Sequence, residues 1–115
     1  MKLYGIPNCN TVKKARDWLA VHHIGYAFYD FKKGVADQML LADWLEQMPW
    51  EKLVNRAGMT WRNLSDAEKT LIVDAPSALN LMLAKTSVIK RPILVSDGKI
   101  ISLGFSEEVY KILLK

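Results

Sequence analysis

Little in this sequence could cross-link the chain, anchor it in a bilayer or hold a metal. Its 115 residues include one cysteine, Cys9. An internal disulfide is therefore excluded, and so is a cysteine-rich zinc site, whereas a solitary reactive thiol is not. No apolar run approaches the ~20 residues that a membrane-spanning helix needs. The chain opens Met1-Lys2-Leu3-Tyr4-Gly5, without the charged start and apolar stretch of a signal peptide. A soluble, cytoplasmic protein with no membrane partner is expected. No Walker-type loop, Ser-His-Asp arrangement or paired catalytic carboxylate stands out. His22 and His23 are adjacent, so their rings point different ways, and no third ligand accompanies them; no metal site is expected.

What is present describes one ordinary globular domain. Half of the residues are hydrophobic (50%) and 24% are charged, enough apolar material for a core and too much for a disordered chain. The 16 Lys and Arg against 12 Asp and Glu leave a formal charge of +4. A mild excess of this kind attracts anions such as phosphate, oxyanions or glutathione carboxylates. The basic residues come in scattered pairs, Lys13-Lys14, Lys32-Lys33 and Lys90-Arg91, and this lack of clustering argues against a nucleic-acid partner.

Hydrophobic periodicity divides the chain into three stretches. Lys2 to Ile6 reads as a short strand ending at Pro7. Asn8-Cys9-Asn10 reads as a turn, and a helix is predicted from about Thr11 to His22, with Val12, Ala15, Trp18 and Leu19 on its apolar face. Tyr26 to Phe31 reads as a second strand, completing a βαβ unit. From Val35 to Ala84 the pattern is helical. Met39, Leu40, Trp44 and Leu45 mark one helix, Ser65 and Glu68 form a capping box for another, and Ser77 to Leu83 supply the last. Pro92 to Val95 and Lys99 to Ser102 flank the hairpin signal Asp97-Gly98. A closing helix from Ser106 to Leu114 carries Val109, Ile112 and Leu113 on one face. The order βαβ, helices, ββα predicts an α/β protein, a four-stranded mixed sheet with a helical insertion. With a cysteine in the first turn, it points to a thioredoxin-like fold. The expected organisation is a single domain over 1–115, with 1–34 and 85–115 as the thioredoxin-like part and 35–84 as the insertion.

Cys9 falls between a strand and the first turn of a helix. The macrodipole and the unpaired N–H groups of Asn10, Thr11 and Val12 favour an anion there, and Lys13 and Lys14 add positive charge. Cysteines so placed titrate at roughly 3.5–7.5 instead of ~8.5. The same N–H array can cradle an oxyanion or a carboxylate. A lone cysteine is often no more than a small buried hydrophobe, but this position favours the reactive reading. Three residues on stands Val12, so no Cys-x-x-Cys disulfide can form and any oxidised state must be resolved by an external thiol. In thioredoxin-like folds the strand facing this turn begins with a cis proline. That resemblance places Arg91-Pro92 beside Cys9, with Arg91 offering a planar, permanently charged fork.

Three segments carry a closer resemblance. Tyr4-Gly5-Ile6-x-x-Cys9-x-Thr11-x-Lys13-Lys14-Ala15-Arg16, then Leu53-Val54-Asn55-Arg56-Ala57-Gly58-x-Thr60-Trp61-Arg62, then Ile89-Lys90-Arg91-Pro92 with Gly104-Phe105-Ser106, resemble the ArsC/Spx family of arsenate reductase-like proteins, and its YffB branch above all. The resemblance runs along essentially the whole chain. It implies a thioredoxin-like domain, a cysteine nucleophile and glutathione as co-substrate, with no tightly bound cofactor.

Departures from the family pattern shape the expected activity. Glutaredoxin-linked arsenate reductases carry a histidine four residues before the cysteine, where this chain has Gly5. Of their three oxyanion arginines, one matches Arg91. Another falls near Asn55, with Arg56 one place along, and the third falls at Gly104-Phe105. Each lost charge-assisted contact removes about 1.5–3 kcal/mol. The Spx-type regulators bind the RNA polymerase α subunit, and many use a Cys-x-x-Cys switch. Val12 here, and Pro49 where they have a contact glycine, count against that role. The expected function is a glutathione-dependent monothiol reductase, with Cys9 and Arg91 catalytic. Asn10, Thr11, Lys13, Arg56 and Pro92 are expected to bind substrate or glutathione. The expected partners are glutathione, glutaredoxin and a small oxyanion or disulfide. Arsenate reduction proper is the second reading, and an RNA polymerase-binding regulator the third.

Overall fold

The computed structural model describes residues 1–114; position 115, the last of the expected domain, lies outside them. The chain forms two compact units, Met1–Lys33 together with the chain from Arg91 on, and Gly34–Lys90.

The first unit holds a four-stranded mixed sheet. Strand β1 (Lys2–Gly5) leads through a turn to helix α1 (Asn10–Val21) and strand β2 (Ala27–Asp30). Later in the chain come β3 (Ile93–Ser96), β4 (Lys99–Leu103) and a C-terminal helix, Glu107–Leu113. The strand order is β2-β1-β3-β4, parallel between β1 and β2 and antiparallel elsewhere. This is the expected α/β, thioredoxin-like arrangement. Asp97 and Gly98 both take positive φ (53° and 77°), as the central residues of a type I′ hairpin turn must. The Arg91–Pro92 peptide bond is cis.

One face of the sheet is covered by α1. Val12, Ala15, Trp18 and Leu19 recur at helical spacing and are all buried. Leu3, Ala15, Trp18, Leu19, Leu94 and Tyr110 form one core cluster. Tyr110 meets the rings of Trp18 and Phe105 edge-on, with centroids 5.5 and 4.9 Å away. Tyr4, whose neighbour Leu3 belongs to that cluster, points to the opposite face; its ring stacks on Tyr29 and Phe31.

The second unit comprises α2 (Gln38–Gln47), the short helices α3 (Trp50–Leu53), α4 (Met59–Arg62) and α5 (Asp66–Thr70), and α6 (Ala75–Ala84). The C-terminal helix of the first unit is accordingly α7. Side-chain caps start α2, α5, α6 and α7: Asp37, Ser65, Asp74 and Ser106 each accept a backbone N–H of the first turn. The Ser65–Glu68 capping box forms as the sequence predicts.

Three expectations need correction. Residues 85–90 group with the insertion: Asn55 N–H donates to Val88 O, Lys90 N–H donates to Leu53 O, and Val54 bridges to Ile89. On α7, Val109, Ile112 and Leu113 are exposed and Tyr110 is the buried residue. The larger ring takes the seat against Trp18, and a seven-residue helix has room for one such anchor. On α2 and α6 the buried residues are Leu41 and Trp44, and Ala78, Leu81 and Met82, so Met39 and Leu83 of the expected stripes face solvent.

The Tyr110 hydroxyl is buried and has no hydrogen-bond partner among the described residues, and burial pushes its pKa up to about 12. An unpaired buried hydroxyl stabilises nothing. Tyr110→Phe is therefore expected to leave stability unchanged or raise it by up to about 1 kcal/mol. Leu94→Ala, by contrast, empties a fully buried site and is expected to cost about 2–5 kcal/mol. Urea denaturation of the two variants checks both.

Candidate functional site

Chain geometry puts Cys9 at a helix terminus. Pro7 and Asn8 turn the chain after β1, and Cys9 takes extended backbone angles (φ −112°, ψ 125°) as the N-cap of α1. Its carbonyl accepts the first helical hydrogen bond, from Lys13 N–H at 2.9 Å. An N-cap side chain faces the N–H groups of the second and third helical residues, here Thr11 and Val12. Sulfur is larger and softer than the usual capping oxygen, and no side-chain capping bond of ordinary geometry closes. The looser approach still acts on the thiol.

Cys9 is half-buried, and burial alone would push its pKa up. That single largest influence is outweighed by four others: the Val12 N–H, a hydrogen bond from the Arg91 side chain, the Thr11 N–H, and the Arg91 charge. The net direction is down, toward thiolate. The positive charge acting on the sulfur is that of Arg91, just before β3; Lys13 and Lys14 are exposed on α1. Pro92 follows, buried at the start of that strand.

Of the sequence-predicted residues, Cys9, Asn10 and Thr11 thus lie at one helix terminus with Lys13 on the same helix, Arg91 acts on the Cys9 sulfur from the segment before β3, and Pro92 is its chain neighbour. Arg56 belongs to the second unit, where its guanidinium lies over the Trp50 ring, 5.5 Å from the centroid. Asn55 has a local structural role, its Oδ1 accepting from Ala57 N–H across the turn. Of the four tryptophans, Trp18 and Trp44 are buried in the core. His22 stacks on Trp18, with Nδ1 donating to the Trp18 carbonyl at 2.8 Å. Among the described residues no group of three or more His, Cys, Asp or Glu could hold a metal, and no helix is long and apolar enough to cross a membrane.

One contact escapes sequence reasoning. Gly5 is buried, and a methyl group placed on its Cα would come within 2.8 Å of Val12 Cγ2. Gly5 and Val12, which the sequence presents only as a missing histidine and a missing second cysteine, are packed on each other. The only signal is a small residue before a branched one seven positions on, too common a pattern to act upon.

A thioredoxin-like sheet with a cysteine at the start of its first helix is the class of protein that the fold and site define, and comparison with known proteins narrows it. The ArsC family model matches residues 4–113. The solved structure of a YffB protein is 41% identical, with a TM-score of 0.90, covering 99% of this chain and 98% of that one. An arsenate reductase (ArsC) related protein from Brucella melitensis is 47% identical, with a TM-score of 0.81, covering 99% and 93%. An uncharacterised protein of Haemophilus influenzae is 40% identical over 95% of this chain and 94% of its own length. The chain belongs to the ArsC family of arsenate reductase-like proteins, in its YffB branch.

Removing the arginine takes away a hydrogen bond and a charge together. In Arg91→Ala the pH midpoint of Cys9 alkylation by iodoacetamide should rise by about one unit, with a roughly tenfold slower reaction at a pH below both midpoints. The lowered thiol pKa also links to stability. Between the folded pKa of Cys9 and the ordinary value near ~8.5, the unfolded chain holds the proton and the folded chain does not. Folding stability contributed by Cys9 is thus present above that ordinary value and is lost as pH falls through the folded pKa. The unfolding free energy of the wild type, measured against Cys9→Ser across this window, should show that slope.

Proposed function

We propose that this protein is a glutathione-dependent monothiol reductase. The observation that carries this reading is the Cys9 sulfur at the N-cap of α1, with the Arg91 side chain acting on it toward thiolate, in a chain with no second cysteine. The Cys9 thiolate attacks one sulfur of a disulfide R–S–S–R′. A Cys9–S–S–R bond forms, and R′–S⁻ leaves and takes a proton. Glutathione thiolate attacks the Cys9 sulfur, releasing R–S⁻ and leaving Cys9–S–S–glutathione. A second glutathione, or a glutaredoxin thiol, restores the Cys9 thiolate and carries off the oxidised sulfur. The net reaction consumes two thiols, forms one new disulfide and reduces one.

In this mechanism Arg91 is the catalytic partner: it stabilises the thiolate and binds the anionic end of substrate or glutathione. The N–H groups of Asn10 and Thr11 add to that cradle, Lys13 attracts the anion, and Pro92 shapes the wall beside the sulfur. A thiol kept reduced by glutathione suits a cytoplasmic setting.

Arsenate is the second candidate substrate, favoured by the same combination of N–H groups and Arg91 at one anion-receiving point and by the arsenate reductase-related relative. Its test is NADPH consumption that depends on arsenate in the presence of glutathione, glutaredoxin and glutathione reductase; a rate no higher than background removes it.

Cys9→Ser is expected to abolish glutathione-dependent reduction of bis(2-hydroxyethyl) disulfide, read as NADPH oxidation through glutathione reductase. Retention of the wild-type rate by this variant would end the proposal.

A further inference from the structure

We propose that Gly5 is a positioning residue for the Cys9 thiolate: its missing side chain leaves the space in which Val12 seats, and this seat holds the Val12 N–H toward the sulfur. The proposal rests on the reading of Cys9 as a thiolate nucleophile and adds a residue that touches neither sulfur nor substrate.

The contact is tight. A Cβ on Gly5 would lie 2.8 Å from Val12 Cγ2, 3.2 Å from Cγ1 and 3.6 Å from Cβ. Val12 has no route of escape by rotation, because a β-branched side chain in a helix is held to essentially one rotamer. Nor does it have an outward route, because its relative exposure is 0%. Strand β1 is paired with β2 on one side and β3 on the other, so an added methyl displaces the backbone of Val12 instead. The helix beyond is anchored where Ala15 and Leu19 pack with Leu3 and Leu94, so the first turn absorbs the movement.

That turn carries the chemistry. With Cys9 as N-cap, Val12 is the third helical residue, whose N–H an N-cap side chain addresses. The other groups acting on the sulfur are the Thr11 N–H, from the same turn, and Arg91, from the segment before β3. Arg91 stands on a different element, so it does not follow a shift of the first turn. The chain thus couples positions 5 and 12: a branched residue at 12 requires glycine at 5, and a side chain at 5 requires a smaller residue at 12.

The test is a double-variant cycle read through Cys9 rather than through stability. Gly5→Ala, Val12→Ala, the two combined, and Val12→Ile are compared for the pH midpoint of iodoacetamide alkylation, with far-UV circular dichroism confirming the fold. Gly5→Ala should raise the midpoint by about one unit, a roughly tenfold loss of thiolate at a pH below both midpoints. Val12→Ile, which crowds the same contact from the other side, should shift it in the same direction. The combined Gly5→Ala/Val12→Ala variant should return to the midpoint of Val12→Ala alone. A folded Gly5→Ala or Val12→Ile protein with the wild-type midpoint overturns the proposal, while a low wild-type midpoint leaves the thiolate reading standing. A wild-type midpoint at the ordinary thiol value overturns both. Should Gly5→Ala fail to fold, Val12→Ile and the combined variant decide; a combined variant titrating well above Val12→Ala refutes the coupling.

Discussion

The seating of α1 on the sheet is the constraint from which the rest of the site follows. Ala15, Trp18 and Leu19 bury one stripe of the helix among Leu3, Leu94 and Tyr110. That packing fixes both the height and the rotation of α1. Rotation decides which residue turns inward at the first turn, and it is Val12, against Gly5. Height decides where the unsatisfied N–H groups end, and they end at Cys9. An active thiol on a loop would depend on loop conformation; this one depends on a buried core, which is far stiffer.

The electrostatics of Cys9 is a contest in which no single favourable contact wins alone. Burial is the largest influence and opposes the thiolate. The N–H groups of Val12 and Thr11 and the Arg91 side chain together reverse it. Partial burial is useful all the same, since an anion held in a poorly hydrated place feels fixed dipoles and charges more strongly. The burial is only partial, and the sulfur of the chain's one cysteine remains partly accessible.

Arg91 connects the two units by sequence. It follows Lys90, whose N–H is bonded to Leu53 O within the helical insertion, and precedes the buried Pro92 that opens β3. The backbone flanking Arg91 is thus hydrogen-bonded on both sides, Lys90 N–H to Leu53 O and Gly104 N–H to Pro92 O. Against that rigidity, the exposed Val109, Ile112 and Leu113 show how little apolar matching the C-terminal helix needs once Tyr110 is seated.

Local rules account for much of this protein. Alternation marked β1, three- and four-residue spacing marked the buried face of α1, Ser65 and Glu68 marked a helix start, and Asp97-Gly98 marked a hairpin. Each is decided by neighbours within a few positions, so each is legible in the chain. The same locality made Cys9 legible as an activated thiol, because a helix start acts on its own cap. Partners brought together by folding were not legible in that way. Arg91 reaches Cys9 across more than eighty residues of chain, and only the resemblance of the fold pointed to it. The apolar stripe of α7 read as core, and tertiary packing gave that place to Tyr110. Gly5 and Val12 read as two absences, and the sheet made them a contact. Hydrogen-bonded turns and periodicities are set along the chain; which side chains share a space is set by how buried surfaces fit, and that fit exists only once the strands and helices have met.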